Sequence, residues 1–270
     1  MLAYVTRVLI GICILGVITF LIPDPDKASS EKPDSQSRSI VRSHIAPLPR
    51  DLRIMDDVQF QPRAARRWRL DLVMPREESE DARPALLFVN RGRNASSFYK
   101  TGPAEFARKG YVCISLNSRL THHASFASTL EDLKCAVRWL RVNAEKYQID
   151  PNRIGGYGDS SGGHLVYLLG LMDQKEQSEG KGPWKEYSSQ LNAICVSAAP
   201  TDFTHLQGRS RRFFRRSANS SATTWEERAA QISPISYVDD EVPPILVIHG
   251  AQDKRVDVSQ ADRIVEALKG

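Results

Sequence analysis

One stretch of this 270-residue chain constrains its fold more than any other. Ile154–Gly158 is a short, glycine-punctuated apolar run that passes through Asp159 and Ser160 directly into an apolar stretch of helical length, about Ser161 to Met172. A buried strand that becomes a buried helix within two residues belongs to a sheet covered by helices. The surrounding pattern agrees. Strand-like runs occur at Trp68–Met74, Ala85–Asn90, Tyr111–Leu116, Ala193–Ala198 and Ile245–His249, several of them continuously apolar. Between the third strand and the Ile154 run, Phe126, Leu130, Leu133, Val137 and Leu140 recur at three- and four-residue spacing and predict a helix with one apolar face. Ser128 and Glu131 form an S-x-x-E capping box expected to start it, and its end is expected near Asp150-Pro151. A last helix is predicted over about Val258 to Lys269. This alternation predicts an α/β fold with a mostly parallel central sheet, helices on both faces and ligands at the C-terminal ends of the strands.

The segments before this pattern differ in kind. Arg7 precedes an apolar run, Val8 to Ile22, that Pro23 ends. Its length lies between a signal-peptide core and a comfortable membrane span. Residues 1–22 are therefore expected to direct export, as a cleaved signal peptide or as a membrane anchor. Residues 23–48, rich in Pro, Ser, Asp and Lys, read as a disordered linker. Residues 49–270 form one catalytic-size domain, since 41% hydrophobic residues over this length can bury a single substantial core.

The net charge of +5 is local, because Arg209, Arg211, Arg212, Arg215 and Arg216 account for it and the rest of the chain is neutral. One basic loop without a recognisable nucleic-acid-binding motif argues against nucleic acid as a partner. The segment reads as a solvated loop with Phe213 and Phe214 packing down, or as an attractant for acidic polysaccharide or anionic membrane. Cys113, Cys135 and Cys195 lie in apolar runs and read as core residues. Neither C-x-x-C nor H-E-x-x-H spacing is present, so no metal and no other cofactor is expected.

Gly158 to Gly162, G-D-S-S-G, fits G-x-S-x-G with a strand before it and a helix after it. In that context Ser160 occupies a sharp turn that lifts its hydroxyl clear of the sheet as a nucleophile. Gly158 and Gly162 support the elbow, because side chains there would meet the neighbouring strand and helix. The N–H of Ser161, at the start of the helix, can bond a developing oxyanion. The plainer reading is a glycine-rich turn with a passive serine.

The wider segment R-I-G-G-Y-G-D-S-S-G-G-H-L, with the preceding E-K-Y-Q-I-D-P-N, resembles the α/β-hydrolase superfamily. Within it the chain is similar to the esterase/lipase branch that includes feruloyl and acetylxylan (carbohydrate) esterases and hormone-sensitive-lipase-like esterases. The similarity runs from about residue 65 to the end, taking in Pro200–Phe203, Ser233–Val238 and Pro243–Asp253. It implies that Asp253 is the triad acid. It also aligns Asn90–Asn94 with the H-G-G-G oxyanion loop, of which only Gly92 survives, so that Gly92 and Arg93 would donate backbone N–H groups beside Ser161. An arginine in such a loop costs strain of order 1–3 kcal/mol. It could instead bind a carboxylate or sulfate, or have no catalytic duty.

The chain order Ser, Asp, His requires a histidine beyond Asp253, and none follows. The resemblance therefore implies that the last strand and its histidine loop are missing, leaving the domain incomplete and its activity absent or impaired. His44, His122, His123, His164, His205 and His249 have no sequence-based claim to reach both Ser160 and Asp253. The expectation is an exported serine hydrolase cleaving carboxylic esters, short acyl or aryl, on small molecules or polysaccharide. Its rivals are a non-catalytic carbohydrate-binding or interaction module and a peptidase of the same fold. The oligomeric state is left open.

Overall fold

The computed structural model describes residues 49–60, 69–89, 102–116, 126–172, 182–206 and 224–270. The N-terminal run and linker, the Asn90–Asn94 loop with Gly92 and Arg93, His44, His122, His123 and Arg209–Arg216 lie outside the described residues.

In chain order the elements are β1 (Leu52–Gln59), β2 (Arg69–Pro75), β3 (Arg83–Val89), α1 (Gly102–Arg108), β4 (Val112–Leu116), α2 (Phe126–Val142), β5 (Ile149–Asp159), α3 (Ser161–Leu171), β6 (Ala193–Ser197), α4 (Trp225–Ile232), a 3₁₀ turn (Pro234–Tyr237), β7 (Ile245–Ile248) and α5 (Ser259–Ala267). The strands form one sheet in the order β1-β2-β4-β3-β5-β6-β7. β1 and β2, and β2 and β4, pair antiparallel; every later pair is parallel. The mostly parallel α/β architecture expected from the alternation is the one that forms.

The main core lies where α2 and α3 meet the sheet, with Leu87, Ile114, Leu133, Leu140, Ile154 and Leu169 fully buried. A smaller core joins α1 to the other face through Val73, Phe88, Ala104, Ala107 and Cys113. Phe88 there stacks at 5.9 Å on Phe106 and 5.4 Å on Tyr157. Burial pushes the Cys195 thiol up to about 11 and the Cys113 thiol higher still, so both are inert packing groups.

Three local expectations need correcting. β1 was not anticipated, because Asp56 and Asp57 interrupt its alternation. The strand accommodates them with a register shift between Met55 and Val58, and Asp57 (φ 55°) donates its N–H to the Asp71 carboxylate at 3.0 Å. The Ser128/Glu131 box does not start α2, which begins at Phe126 and ends at Val142, well before Asp150. A capping box forms instead at the head of α4: the Thr224 hydroxyl accepts from Glu227 N–H, and the Glu227 carboxylate accepts from Thr224 N–H. Nor does α2 keep a solvated face. Asp132, Lys134 and Arg138 are all buried. Arg138 and Arg141 donate to the carbonyls of Pro183, Ser188 and Gln190.

Candidate active site

Ser160 follows the last residue of β5 and is the N-cap of α3, with φ 53° and ψ −121°. That backbone conformation is costly for a non-glycine residue, of order 1–3 kcal/mol. Four contacts hold the turn there. The Ser160 N–H donates to the carbonyl of Ser197, the last residue of β6, at 2.8 Å, and the Ser160 carbonyl accepts from His164 N–H at 3.1 Å. A Cβ on Gly158 would lie 2.6 Å from the carbonyl carbon and oxygen of Gly162. A Cβ on Gly163 would lie 2.7 Å from Ala199 Cβ and 2.8 Å from Val196 Cγ1. Gly163, passed over in the sequence, thus brings α3 onto β6, while Gly162 presents its backbone to Gly158. Ser161 opens α3, so its N–H has no carbonyl within the helix to bond and faces the turn. Among the described residues no side chain hydrogen-bonds the Ser160 hydroxyl.

Asp253 lies in the loop after β7, at the same C-terminal edge of the sheet. One oxygen of its carboxylate accepts from Arg255 N–H at 2.7 Å and Val256 N–H at 3.1 Å, which orients the group and leaves the other oxygen available. His249 is beside it, but its Nε2 is 3.8 Å from the second oxygen and donates instead to the Val256 carbonyl at 2.9 Å. With its side chain 3% exposed, His249 braces the loop through its bond to Val256. His164, in the first turn of α3, is fully buried, donating from Nε2 to the Ile232 carbonyl and stacking on Phe203 at 4.7 Å.

Asp159, the residue before Ser160, lies at the same edge. Asp159 pairs in register with Ser197 on β6, which in turn pairs with Ile248 at the end of β7. Its carboxyl is held above the usual carboxylate range, first by burial and then by the Asp253 charge, against the opposing Ser197 hydroxyl and His249. The x positions of G-x-S-x-G carry no sequence signal of their own, so Asp159 becomes visible only across the three strand tips.

A third group stands at the same edge, after β6. Asp202 accepts from Thr204 N–H at 3.0 Å and meets His205 Nδ1 at 2.7 Å, with Arg263 of α5 at 3.6 Å. Burial pushes the Asp202 carboxyl up, but the Thr204 hydroxyl, His205 and the Thr204 amide outweigh it and hold the group below the usual range. A depressed folded pKa contributes stability above the unfolded value, near 3.9, and loses it as pH falls through the folded one. Asp202→Ala is therefore expected to destabilise the domain at pH 7 in urea melts, by about 1–3 kcal/mol for the lost charge-assisted hydrogen bonds, with the gap to wild type narrowing as pH falls below about 4. A constant gap down to pH 2 would contradict that. Among the described residues no cluster of three His, Cys, Asp or Glu could hold a metal ion, and no helix is long and apolar enough to cross a membrane.

The strand-elbow-helix geometry, with a carboxylate two strands away, directs comparison toward hydrolases. The BD-FAE family model matches residues 70–268. The chain belongs to the BD-FAE family. Among curated proteins it is 29% identical to Esterase LipC of Mycobacterium tuberculosis, over 74% of this chain and 52% of that one. It is 28% identical to Esterase LipQ of the same organism, over 59% of this chain and 38% of that one. This chain thus spans about half or less of these relatives' length. Among solved structures, a truncated carbohydrate esterase from gut microbiota matches with TM-score 0.67 and 25% identity, over 80% of this chain and 83% of that one. An acetyl ester-xyloside bifunctional hydrolase from Caldicellulosiruptor lactoaceticus shares the fold with TM-score 0.61 and 23% identity, over 74% and 73%. The BD-FAE chain described here is therefore an α/β-hydrolase of the esterase branch.

Proposed function

We propose that this BD-FAE protein is a serine hydrolase of carboxylic esters acting through an acyl-enzyme. The observation that carries the reading is the strained Ser160 turn, held at the edge of the sheet that also carries Asp253. Ser160 Oγ attacks the ester carbonyl carbon as the histidine that the family resemblance places after Asp253 takes its proton. The carbonyl π electrons move to oxygen, and the resulting oxyanion accepts from the N–H of Ser161, with Gly92 and Arg93 as further donors. Collapse breaks the bond to the alkoxide, which leaves with the histidine's proton. Water then repeats the sequence on the acyl-serine. Asp253, fixed by two backbone N–H groups, orients the histidine and stabilises its charged form.

The esterase relatives and the carbohydrate-esterase neighbours support short acyl or aryl esters, on small molecules or on polysaccharide, as the substrate class. Arg7 and the Val8–Ile22 run support export to the cell envelope or beyond, with membrane attachment as one form of it.

The test is covalent. A fluorophosphonate ester should add one phosphonyl group, mapped by peptide mass spectrometry to Ser160. Absence of an adduct, or an adduct elsewhere, favours the reading of a non-catalytic carbohydrate-binding module, which the altered Asn90–Asn94 loop supports. In a form that carries the triad histidine, Asp253→Asn is expected to lower kcat for p-nitrophenyl acetate by about 10⁴-fold, with little change in KM, because it removes the charge that orients the base. A loss of less than tenfold would remove Asp253 from the acid role.

A further inference from the structure

Gln260, the second residue of α5, is 2% exposed. A primary amide buried to that degree is costly unless its polar atoms find partners. Here the side-chain oxygen accepts from two successive backbone N–H groups, Thr201 at 2.9 Å and Asp202 at 2.8 Å. The Thr201 hydroxyl donates to Gln260's own carbonyl. Thr201 and Asp202 lie past the end of β6, where no strand can pair their amides. One glutamine side chain therefore does for this loop what a neighbouring strand does for β6.

The two segments it joins carry the two halves of the site. On one side, β6 ends at Ser197, whose carbonyl holds the Ser160 N–H, and Ala198 N–H donates to the Ile248 carbonyl. On the other side, the loop between β7 and α5 is internally braced. Asp253 accepts from Arg255 and Val256, the Val256 carbonyl accepts from His249, and Gln260 N–H donates to the Asp257 carbonyl. This braced loop leaves the sheet at Ile248, and Gln260 bonds its far end back to the β6 exit. One helical turn on, Arg263 approaches Asp202 at 3.6 Å, so the joint has a second, weaker contact. A methionine would fill the same space and favour the helix as well, but it would leave two buried amides without an acceptor.

We propose that Gln260 is a positioning residue: by clamping the Thr201-Asp202 amides to the first turn of α5, it fixes the Asp253 loop relative to the Ser160 turn. The proposal rests on the reading of Ser160 and Asp253 as nucleophile and acid. Its decisive readout, however, needs no turnover.

Gln260→Met removes the acceptor at nearly constant volume, and Gln260→Glu retains it. Amide hydrogen exchange is followed by NMR at Arg255 and Val256, whose N–H groups bond Asp253 rather than Gln260. In Gln260→Met these two amides should exchange about tenfold faster or more, while amides of β3 and β5 keep their wild-type rates. In Gln260→Glu they should stay within about threefold of wild type. In a form that carries the triad histidine, the Met variant should lose about 10- to 30-fold in kcat for p-nitrophenyl acetate with KM nearly unchanged, and the Glu variant should recover most of it. If Gln260→Met does not fold, Thr201→Val, which deletes only the hydroxyl donor, should speed exchange at the same two amides by about threefold. Unchanged exchange at Arg255 and Val256 overturns the proposal. So does an equal kcat loss in the Met and Glu variants, which would mark bulk packing, or altered exchange with full kcat, which would mark a purely structural clamp. Absence of a Ser160 adduct in the wild type would instead overturn the ester-hydrolase reading and leave the exchange result to decide the clamp.

Discussion

Ser160→Ala, in a form that carries the triad histidine, should abolish ester turnover by about 10⁶-fold in kcat while leaving the melting temperature near that of wild type. The two halves of that expectation have separate causes. Turnover is lost because no other described hydroxyl occupies the turn between β5 and α3. Stability is retained because alanine in the same φ 53°, ψ −121° conformation carries the same backbone strain as serine. Ser160→Gly separates the two further. Glycine adopts this conformation without a Cβ clash, so strain of order 1–3 kcal/mol is relieved, offset by roughly 0.5–1 kcal/mol of added unfolded-state entropy. The glycine variant should thus be inactive yet more stable by about 1 kcal/mol in urea melts. Residual turnover by either variant above about 1% of wild type would exclude Ser160 as the nucleophile. A Ser160→Gly variant less stable than Ser160→Ala would mean the turn is not strained in solution.

The second large effect is on the fold. Gly158→Ala should destabilise the domain by about 3 kcal/mol or more and eliminate the Ser160 adduct. The new Cβ would lie 2.6 Å from the Gly162 carbonyl and 2.7 Å from the Gly163 amide nitrogen. These are backbone atoms in the first turn of α3, so the clash cannot be relieved by rotating a side chain. α3 would have to move away from β5, taking with it the Ser161 N–H and the close contact of Gly163 with Val196 and Ala199. For a domain of this size the melting temperature should fall by about 6–12 °C. A thermal shift assay showing wild-type melting would mean that α3 does not approach β5 this closely.

How far the site can be read in the sequence follows from the range of the forces that build it. The elbow is legible because its constraints are local: a side chain at Gly158 would collide with the backbone of Gly162 and Gly163, and one at Gly163 with Ala199 and Val196. The β3, β4, β5 and β6 runs are legible because parallel strands inside the sheet need continuous apolar side chains. β1 escaped notice because two aspartates interrupt its alternation, and its pairing with β2 tolerates them through a register shift. The capping box was assigned to Ser128 rather than Thr224 because both segments satisfy the same short pattern, and tertiary packing decides which serine or threonine precedes a helix.

By itself, the sequence determined the α/β class, the sharp strand-to-helix turn at Ser160 and the membership of Asp253 in a post-strand loop, since each depends on residues within a few positions of one another. Only the tertiary structure decided which distant groups share the site. The order β5-β6-β7 brings Asp159 and Ser197 to the edge that holds His249 and Asp253. Gln260 meets Thr201 across 59 residues of chain. His249 and His164 are committed to the carbonyls of Val256 and Ile232, which no spacing in the sequence records. The physical reason is that local sterics and side-chain periodicity select conformations within one element. The partners of a buried polar group are selected by whichever strands and loops the sheet order places beside it, and that order is a property of the whole chain's packing.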